Sequence, residues 1–157
     1  MKAQNQKGFS LIELLIVIVV ILILAAIVVP SLMRSRMAAN ETSAVASMRE
    51  INNAQVTYMS TYDAGYAASL ADLGPSTGEV SSSAAGLLDS VLGCENQPCL
   101  KSGYSFSLSG DTDDFVGTAM PESLGQSGRR AFYSDSSCVI RFDPAGLAPT
   151  ATSDPLE

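Results

Sequence analysis

Sixteen consecutive apolar residues, Leu14–Val29, lie close to the N-terminus of this 157-residue chain. The apolar character begins earlier, and the whole segment Phe9–Val29 contains only two polar residues. A helix that spans a bilayer needs about 20 predominantly apolar residues, so residues 9–30 are predicted to span a membrane. Lys2 and Lys7 precede the segment, and basic residues favour the cytoplasmic side. We therefore expect the precursor in the cytoplasmic membrane, with the later residues outside it.

The order of the N-terminal signals differs from that of an ordinary secretory signal. In an ordinary secretory signal, the cleavage site comes after an apolar stretch of about 7 to 15 residues. Here the candidate site, between Gly8 and Phe9, precedes the stretch, so cleavage would leave the apolar segment on the mature protein. Glu13 lies within it, and a carboxylate near the bilayer centre costs about 2.5–3.5 kcal/mol. We expect Glu13 to pair with the new α-amino group of Phe9 on a neighbouring chain; alternatively it reaches the membrane interface unpaired.

Residues 1 to about 60 resemble the type IV prepilin family, which includes pilins and pseudopilins, with Gly8, Phe9, Glu13 and Pro30 at matching positions. The resemblance implies removal of a leader, residues 1–8, by a prepilin peptidase and N-methylation of Phe9. It implies assembly through Glu13 and Pro30 into a helical homopolymer on the cell surface. The implied partners are an assembly platform and motor in the inner membrane and other minor pilins. The implied architecture is the pilin fold, an α+β arrangement.

A second helical pattern follows the apolar segment. Positions on one face recur at alternating spacings of four and three residues: Ala44, Met48, Ile51, Gln55, Tyr58 and Tyr62. The opposite face is polar, so this half of the helix is predicted to be amphipathic and covered by the residues that follow. We expect one long helix over residues 9–62, locally bent at Pro30. Asp63 and Gly65 would end it.

The remaining residues, 63–157, are predicted to form one globular head. It comprises a connector over 63–100, a sheet over 101–143 and a C-terminal tail over 144–157, with a short helical piece around Ala84–Leu92. Alternating patterns predict four strands: Tyr104–Leu108, Asp114–Met120, Arg129–Ser134 and Val139–Phe142. A single helix followed by consecutive strands indicates an α+β protein with a four-stranded antiparallel sheet packed on the amphipathic helix.

Charge is concentrated in the head. Residues 9–62 carry three acidic and three basic side chains, whereas residues 63–157 carry 13 acidic residues against four basic ones, a formal net charge of −9. An acidic head does not offer the broad cationic surface that phosphate backbones require. We therefore expect no direct nucleic-acid site.

Three cysteines, Cys94, Cys99 and Cys138, lie in the part predicted to be extracytoplasmic, where disulfides persist. They allow at most one intramolecular bond. We expect Cys94–Cys99, which closes a short loop; Cys99–Cys138 is the alternative. Metal binding by the three thiols would lack a fourth ligand, because the chain contains no histidine.

Two further patterns suggest hypotheses. Asp111, Asp113 and Asp114 offer oxygen ligands for calcium, but they also fit a solvated turn between two strands. Tyrosines recur every four residues at positions 58, 62 and 66, which would suit stacking and charge transport along a filament. Packing against a core explains the same spacing.

No catalytic constellation or cofactor motif is found. Without histidine, a Ser–His or Cys–His nucleophile pair is impossible, so we expect a structural protein and no enzyme. The main hypothesis is a subunit of a type IV pilus. The alternative is a pseudopilin of a type II secretion pseudopilus, although major pseudopilins tend to carry a tryptophan-containing segment and this chain has no tryptophan. A third hypothesis is a membrane-tethered binding domain that never polymerises.

Overall fold

The computed structural model describes residues 9–76 and 78–156. Its longest element is helix α1, Leu11–Tyr62, of 52 residues, with Glu13 in the first turn and Pro30 inside the helix. The chain divides into two compact units, Met1–Ser35 (unit 1) and Arg36–Glu157 (unit 2). The predicted long helix is thus confirmed, and α1 contributes residues to both units.

Within unit 2, α1 buries the predicted stripe as far as Tyr58, and Tyr62 is partly buried. Ala44, Met48, Ile51 and Gln55 are almost completely buried, and Tyr58 is buried as well. Additional buried positions beside the stripe are Ser47, Asn52 and Ala54. The buried face of α1 is therefore wider than a single row of side chains, as expected of a helix that packs on a sheet.

The connector differs from its prediction. A single helical turn, α2 (Leu70–Leu73), is started by a capping box in which Ser69 and Asp72 exchange side-chain and backbone hydrogen bonds. The helical piece expected around Ala84–Leu92 is absent: these described residues form turns and bends. The backbone amides of residues 85–88 donate to carbonyls of residues 72–74, so they are not available for a helix of their own.

Six antiparallel strands follow, in spatial order β1-β2-β3-β4-β5-β6. Their bounds are β1 Cys99–Lys101, β2 Tyr104–Gly110, β3 Phe115–Pro121, β4 Ala131–Asp135, β5 Arg141–Asp143 and β6 Asp154–Pro155. The antiparallel α+β architecture is confirmed, but the expected number of four strands is wrong. The edge strands β1 and β6 contain three and two residues and are too short to show an alternating pattern.

The last predicted strand, Val139–Phe142, is displaced. Strand β5 begins only at Arg141, because Cys138 has a positive φ of 56° and belongs to the turn after β4. The segment expected to be a C-terminal tail contains β6, which pairs with β5 through Arg141↔Pro155 and Phe142↔Asp154.

One face of the sheet forms the core of unit 2 together with α1. The fully buried aromatic side chains come from alternate strand positions, and Met48 of α1 approaches the sheet at Gly117. The large core residues of the strands are Tyr104, Phe106, Leu108, Phe115 and Phe132. This alternation agrees with an antiparallel sheet that has one buried face.

Candidate functional site

The main candidate site is the apolar N-terminal part of α1, whose side chains are exposed on every face. Exposure ranges from 82% at Leu11 to 44% at Val19, and the large apolar residues from Leu11 to Val29 are all exposed. Among the described residues, α1 is long and apolar enough to cross a membrane. An apolar surface of this extent requires lipid or other protein as its environment. The segment is therefore suited to membrane insertion of a precursor.

Glu13 lies in the first turn of this apolar segment. Its backbone amide donates to the Ser10 carbonyl at 3.1 Å, and its side chain is exposed. The ion pairs in the described part of the chain involve Lys101 and Arg130 and leave Glu13 without a cation. A carboxylate is favourable near the positive end of a helix dipole, so this position suits Glu13 even before it finds a charged partner.

The other predicted residues of the N-terminal site are Gly8, Phe9 and Pro30. Gly8 and the rest of the leader lie outside the described residues. Phe9 is 81% exposed and precedes α1. Pro30 lies inside α1, about one and a half turns before the start of unit 2. Cleavage, N-methylation and the assembly roles of Glu13 and Pro30 remain predictions.

The disulfide joins Cys94 to Cys99, and Cys138 is a free thiol. The alternative bond between Cys99 and Cys138 is therefore wrong for this structure. Cys99 begins β1 and is buried, so the bond ties the end of the connector to the edge of the sheet.

The aspartates considered for calcium form a tight turn between β2 and β3. Asp111 accepts hydrogen bonds from the amides of Asp113 and Asp114, and Asp114 accepts from the amides of Phe115 and Ser136. The amide bonds lower the pKa of Asp111. Hydrogen bonding to the Ser136 side chain, and then to the Ser136 and Phe115 amides, lowers the pKa of Asp114. Across residues 9–76 and 78–156 no group of three or more potential metal ligands is brought together. The turn interpretation accounts for these residues, and the calcium hypothesis gains no support.

The three regularly spaced tyrosines do not form one stack. The rings of Tyr58 and Tyr62 lie 4.9 Å apart, but Tyr66 follows the end of α1 and packs on Phe115 at 5.0 Å. Tyr58 also donates a hydrogen bond to the Ser82 carbonyl. These contacts favour the packing interpretation of the tyrosine spacing.

Comparison with known families gives one match. Residues 3–29 match the prokaryotic N-terminal methylation motif, the signature of type IV prepilin-like proteins. No curated protein and no solved structure matches the chain significantly. The motif and the long apolar helix together support a type IV pilin-like or pseudopilin-like protein. The match covers the N-terminal segment, and the head is described by its structure alone.

One contact of unit 2 was missed by sequence reasoning. Glu41 of α1 accepts hydrogen bonds from the backbone amides of Arg129 and Arg130 at 2.9 and 3.3 Å, and its other oxygen pairs with Arg130 Nε at 2.8 Å. The Arg130 guanidinium also lies over the rings of Phe132 and Phe142. Glu41 thereby fixes the loop before β4 to α1. It is separated from Arg130 by 89 residues, so no local pattern announces the contact.

Proposed function

We propose that this protein is a structural subunit of an extracellular type IV pilus. The observation that supports this proposal most is an overlap. The methylation motif, residues 3–29, coincides over most of its length with a helical segment whose apolar side chains are exposed on all sides. In this proposal a prepilin peptidase removes residues 1–8, the amine of Phe9 is methylated, and the platform and motor of the inner membrane extract the subunit. The subunit has no catalytic role, and other minor pilins join the same filament.

Polymerisation uses the exposed apolar part of α1. In the bilayer these side chains contact lipid; in the filament they contact the corresponding helices of neighbouring copies. Because lipid tails are as apolar as the side chains, helix association depends on close packing and on polar pairing. Residues 9–30 supply the packing surface, and the head, residues 63–157, remains outside the helical bundle.

Glu13 supplies the polar pairing. Its carboxylate has no cation within its own chain among the described residues, and an unpaired charge in an apolar setting is unfavourable. Cleavage after Gly8 creates an α-amino group on Phe9, four residues away along the sequence. We propose that this amine on one copy pairs with Glu13 of the next, so that processing and assembly are linked.

The pseudopilus is the second candidate. It uses the same N-terminal signals, and the described structure of residues 9–30 fits both assemblies. The absence of tryptophan from the sequence favours the pilus. A tethered binding domain that never polymerises is the third candidate; it does not need a carboxylate at position 13.

The deciding experiment is cryo-electron microscopy of material sheared from the cell surface, with mass spectrometry of the subunit N-terminus. Long filaments whose subunit begins at N-methyl-Phe9 are the expected result. Processed protein that stays in the envelope without surface filaments would favour the pseudopilus. An intact Met1 start would refute both assemblies.

The role of Glu13 is tested separately by Glu13→Gln, with Glu50→Gln as the matched control. Both substitutions remove one exposed carboxylate from α1. Glu50 lies in unit 2 and pairs with Lys101 at 3.7 Å, whereas only Glu13 lies in the apolar segment. We expect Glu13→Gln to be processed and inserted normally yet to yield few filaments, while Glu50→Gln assembles. Normal filament yield from Glu13→Gln would refute the proposed pairing.

A further inference from the structure

The core face of the sheet is open along its β5–β6 margin. Phe132, Phe142 and Asp154 are register partners on β4, β5 and β6, so their side chains share one face of the sheet. Exposure rises along this row: Phe132 is completely buried, Phe142 is partly buried and Asp154 is exposed. The packed core therefore ends at β5, and the last two strands leave part of the core face accessible beside α1.

Three hollows follow one another along this margin, and each shares one residue with the next. The first, of about 320 Å³, is lined by Glu41, Arg129, Arg130 and Pro144. The second, of about 490 Å³, shares Arg130 and adds Phe142, Asp154, Pro155 and Leu156. The third, of about 300 Å³, shares Leu156 and adds Arg49, Cys138, Val139 and Ile140. We call the three hollows together the α1–β6 groove. Each has the size of a site for a small molecule.

The groove contains hydrogen-bonding groups that its own chain does not use. The Arg130 side chain donates to Glu41 through Nε, which leaves its Nη groups available. Arg49 and Asp154 are exposed and lie outside the ion pairs recorded for residues 9–76 and 78–156. Guanidinium groups only donate hydrogen bonds, and an ionised carboxylate only accepts them. The groove can therefore offer both kinds of hydrogen bond to a ligand.

Arg130 is held in a fixed position within the second hollow. Its backbone amide donates to Glu41, and its carbonyl accepts the Tyr104 hydroxyl at 2.8 Å. Its guanidinium lies 5.6 and 5.5 Å from the ring centroids of Phe132 and Phe142. A side chain that is already immobilised loses little conformational entropy when it binds a ligand. The donors of Arg130 are therefore preorganised.

The charges of the groove nearly cancel, which limits the ligands that it suits. Glu41 neutralises Arg130, and Asp154 opposes the other two arginines of the lining. Asp143 directly precedes Pro144 at the border of the first hollow. A polyanion requires a surface of one sign, which this groove lacks. The groove is therefore suited to a neutral ligand that is rich in hydrogen-bonding groups.

We infer that the α1–β6 groove binds a neutral oligosaccharide, with one sugar ring in each hollow. A pyranose ring has apolar C–H faces and a rim of hydroxyl groups that both donate and accept hydrogen bonds. Phe142 and Leu156 provide apolar surface for the faces, and Asp154 accepts from the rim. The arginine N–H groups donate to hydroxyl oxygens.

The order of the hollows supports a ligand made of repeated units. Each hollow combines apolar side chains or proline with at least one planar charged group, and the three lie in succession. A chain of similar rings, each with an apolar face and a polar rim, matches this repetition. The inference goes beyond the proposed function, because the groove belongs to the head and needs no filament.

Isothermal titration calorimetry of the full chain, in a detergent without a sugar headgroup, tests the binding. The neutral probes are cellotriose, maltotriose and N,N′,N″-triacetylchitotriose. Trigalacturonate and the glucosamine trimer are the anionic and cationic comparisons, and an uncharged Gly–Ser peptide represents an extended polypeptide. At least one neutral trisaccharide should bind more tightly than every comparison ligand. Failure of all the neutral probes to bind, or tighter binding of a charged trimer or of the peptide, would overturn the inference.

Asp154→Ala and Arg49→Ala locate the site, with Asp113→Ala and Arg36→Ala as matched controls. All four residues are exposed and lie outside the ion pairs recorded for the described chain, and neither control residue lines the groove. Each groove variant should weaken trisaccharide binding about tenfold, as expected from the loss of one hydrogen bond to a charged group. The controls should bind like the unaltered chain. Unchanged affinity in both groove variants would refute the site.

Cys138 reports on the third hollow without any substitution, because its free thiol is exposed and lines that hollow. A bound trisaccharide should slow the alkylation of Cys138, with half of the protection reached at the dissociation constant found by calorimetry. Alkylation that a saturating trisaccharide leaves unchanged would contradict one ring in each hollow. These results are independent of the proposed function, because assembly uses residues 9–30 and is tested by the presence of filaments.

Discussion

Gln55 of α1 and Ala67 of the connector exchange two hydrogen bonds. The Ala67 amide donates to Gln55 Oε1 at 2.8 Å, and Gln55 Nε2 donates to the Ala67 carbonyl at 3.0 Å. Both residues are completely buried. The Gln55 amide thus supplies the partners that an irregular segment cannot obtain from a neighbouring strand. This explains why one polar side chain occupies the apolar stripe of the helix.

Gln55→Leu should destabilise the head. The substitution keeps the side chain close in size but leaves the amide and carbonyl of Ala67 buried without partners, at a cost of about 2–4 kcal/mol in the free energy of unfolding. Urea denaturation of the detergent-solubilised chain, followed by tyrosine fluorescence, measures this cost. All five tyrosines lie in unit 2, so the signal reports on the head.

The control for this change is Gln126→Leu, because Gln126 is exposed and uses only its backbone amide in a hydrogen bond. We expect little change in its stability. Gln97 makes the same two-bond exchange with Leu108 but is only partly buried, so Gln97→Leu should fall between the two. Equal stability of Gln55→Leu and Gln126→Leu would refute the proposed contribution.

Sequence reasoning predicted those elements in which apolar residues recur at a regular spacing over several helical turns or strand positions. The stripe containing Gln55 was found in this way, but Ala67 was not, because its position depends on the path of an irregular connector. The same reason explains why the helix predicted at Ala84–Leu92 is absent. Amides of this segment donate to carbonyls on and just after α2, and no periodicity within the segment indicates these bonds. The Glu41–Arg130 contact also depends on tertiary structure alone.

The candidate site also contains parts that local sequence patterns predict and parts that only the tertiary structure shows. Its apolar segment and Glu13 are visible in the sequence, because membrane-spanning length and a lone charge are local properties. The packing of Tyr66 on Phe115 is not, since the connector meets the sheet only after the head has folded. Contacts made by the folded head therefore require the structure, whereas the N-terminal signal does not.

The Glu41 carboxylate should make the stability of the head pH-dependent. Burial raises its pKa, but hydrogen bonds from the Arg129 and Arg130 amides and from the Arg130 guanidinium outweigh burial, so the pKa lies below its ordinary value of 4.5. A carboxyl group whose pKa is lowered by folding contributes its full stabilisation of the folded state at pH values above its pKa in the unfolded chain. This contribution is lost as the pH falls through the pKa of the folded state. The loss is expected below about pH 4.5.

Glu41→Gln measures this contribution. At pH 7 the variant should lose about 1–3 kcal/mol of unfolding free energy, because charge-assisted hydrogen bonds are replaced by weaker ones. The difference from the unaltered chain should shrink in denaturation curves recorded at pH 3. Glu95 is an exposed glutamate of the disulfide loop. The stability difference between Glu95→Gln and the unaltered chain should therefore not shrink at pH 3. A constant difference at both pH values would contradict the assignment to Glu41.

Peptide mapping of the non-reduced protein should recover Cys94 joined to Cys99 and Cys138 alkylated. Partial burial and the nearby Asp135 raise the pKa of the Cys138 thiol. Because the thiolate is the reactive form, alkylation of Cys138 at pH 8 should be slower than that of a cysteine in an unfolded peptide. Recovery of a Cys99–Cys138 peptide, or rapid labelling of Cys94, would contradict the observed pairing.

Gly128 is expected to tolerate no side chain, because a Cβ atom there would overlap the hydroxyl and ring of Tyr104. Tyr104 is completely buried and donates to the Arg130 carbonyl at 2.8 Å, so it has no free space into which to move. Gly128→Ala should therefore lower the unfolding free energy by about 1–3 kcal/mol, the usual cost of overpacking a core.

A double-mutant cycle assigns this cost to the contact itself. Removing the hydroxyl with Tyr104→Phe relieves the closest overlap, so Gly128→Ala should cost less in that background than in the unaltered chain. Gly78→Ala is the control, because a Cβ at that position meets no other atom within 4 Å. An identical cost of Gly128→Ala in both backgrounds would show that the backbone at position 128, rather than Tyr104, requires glycine.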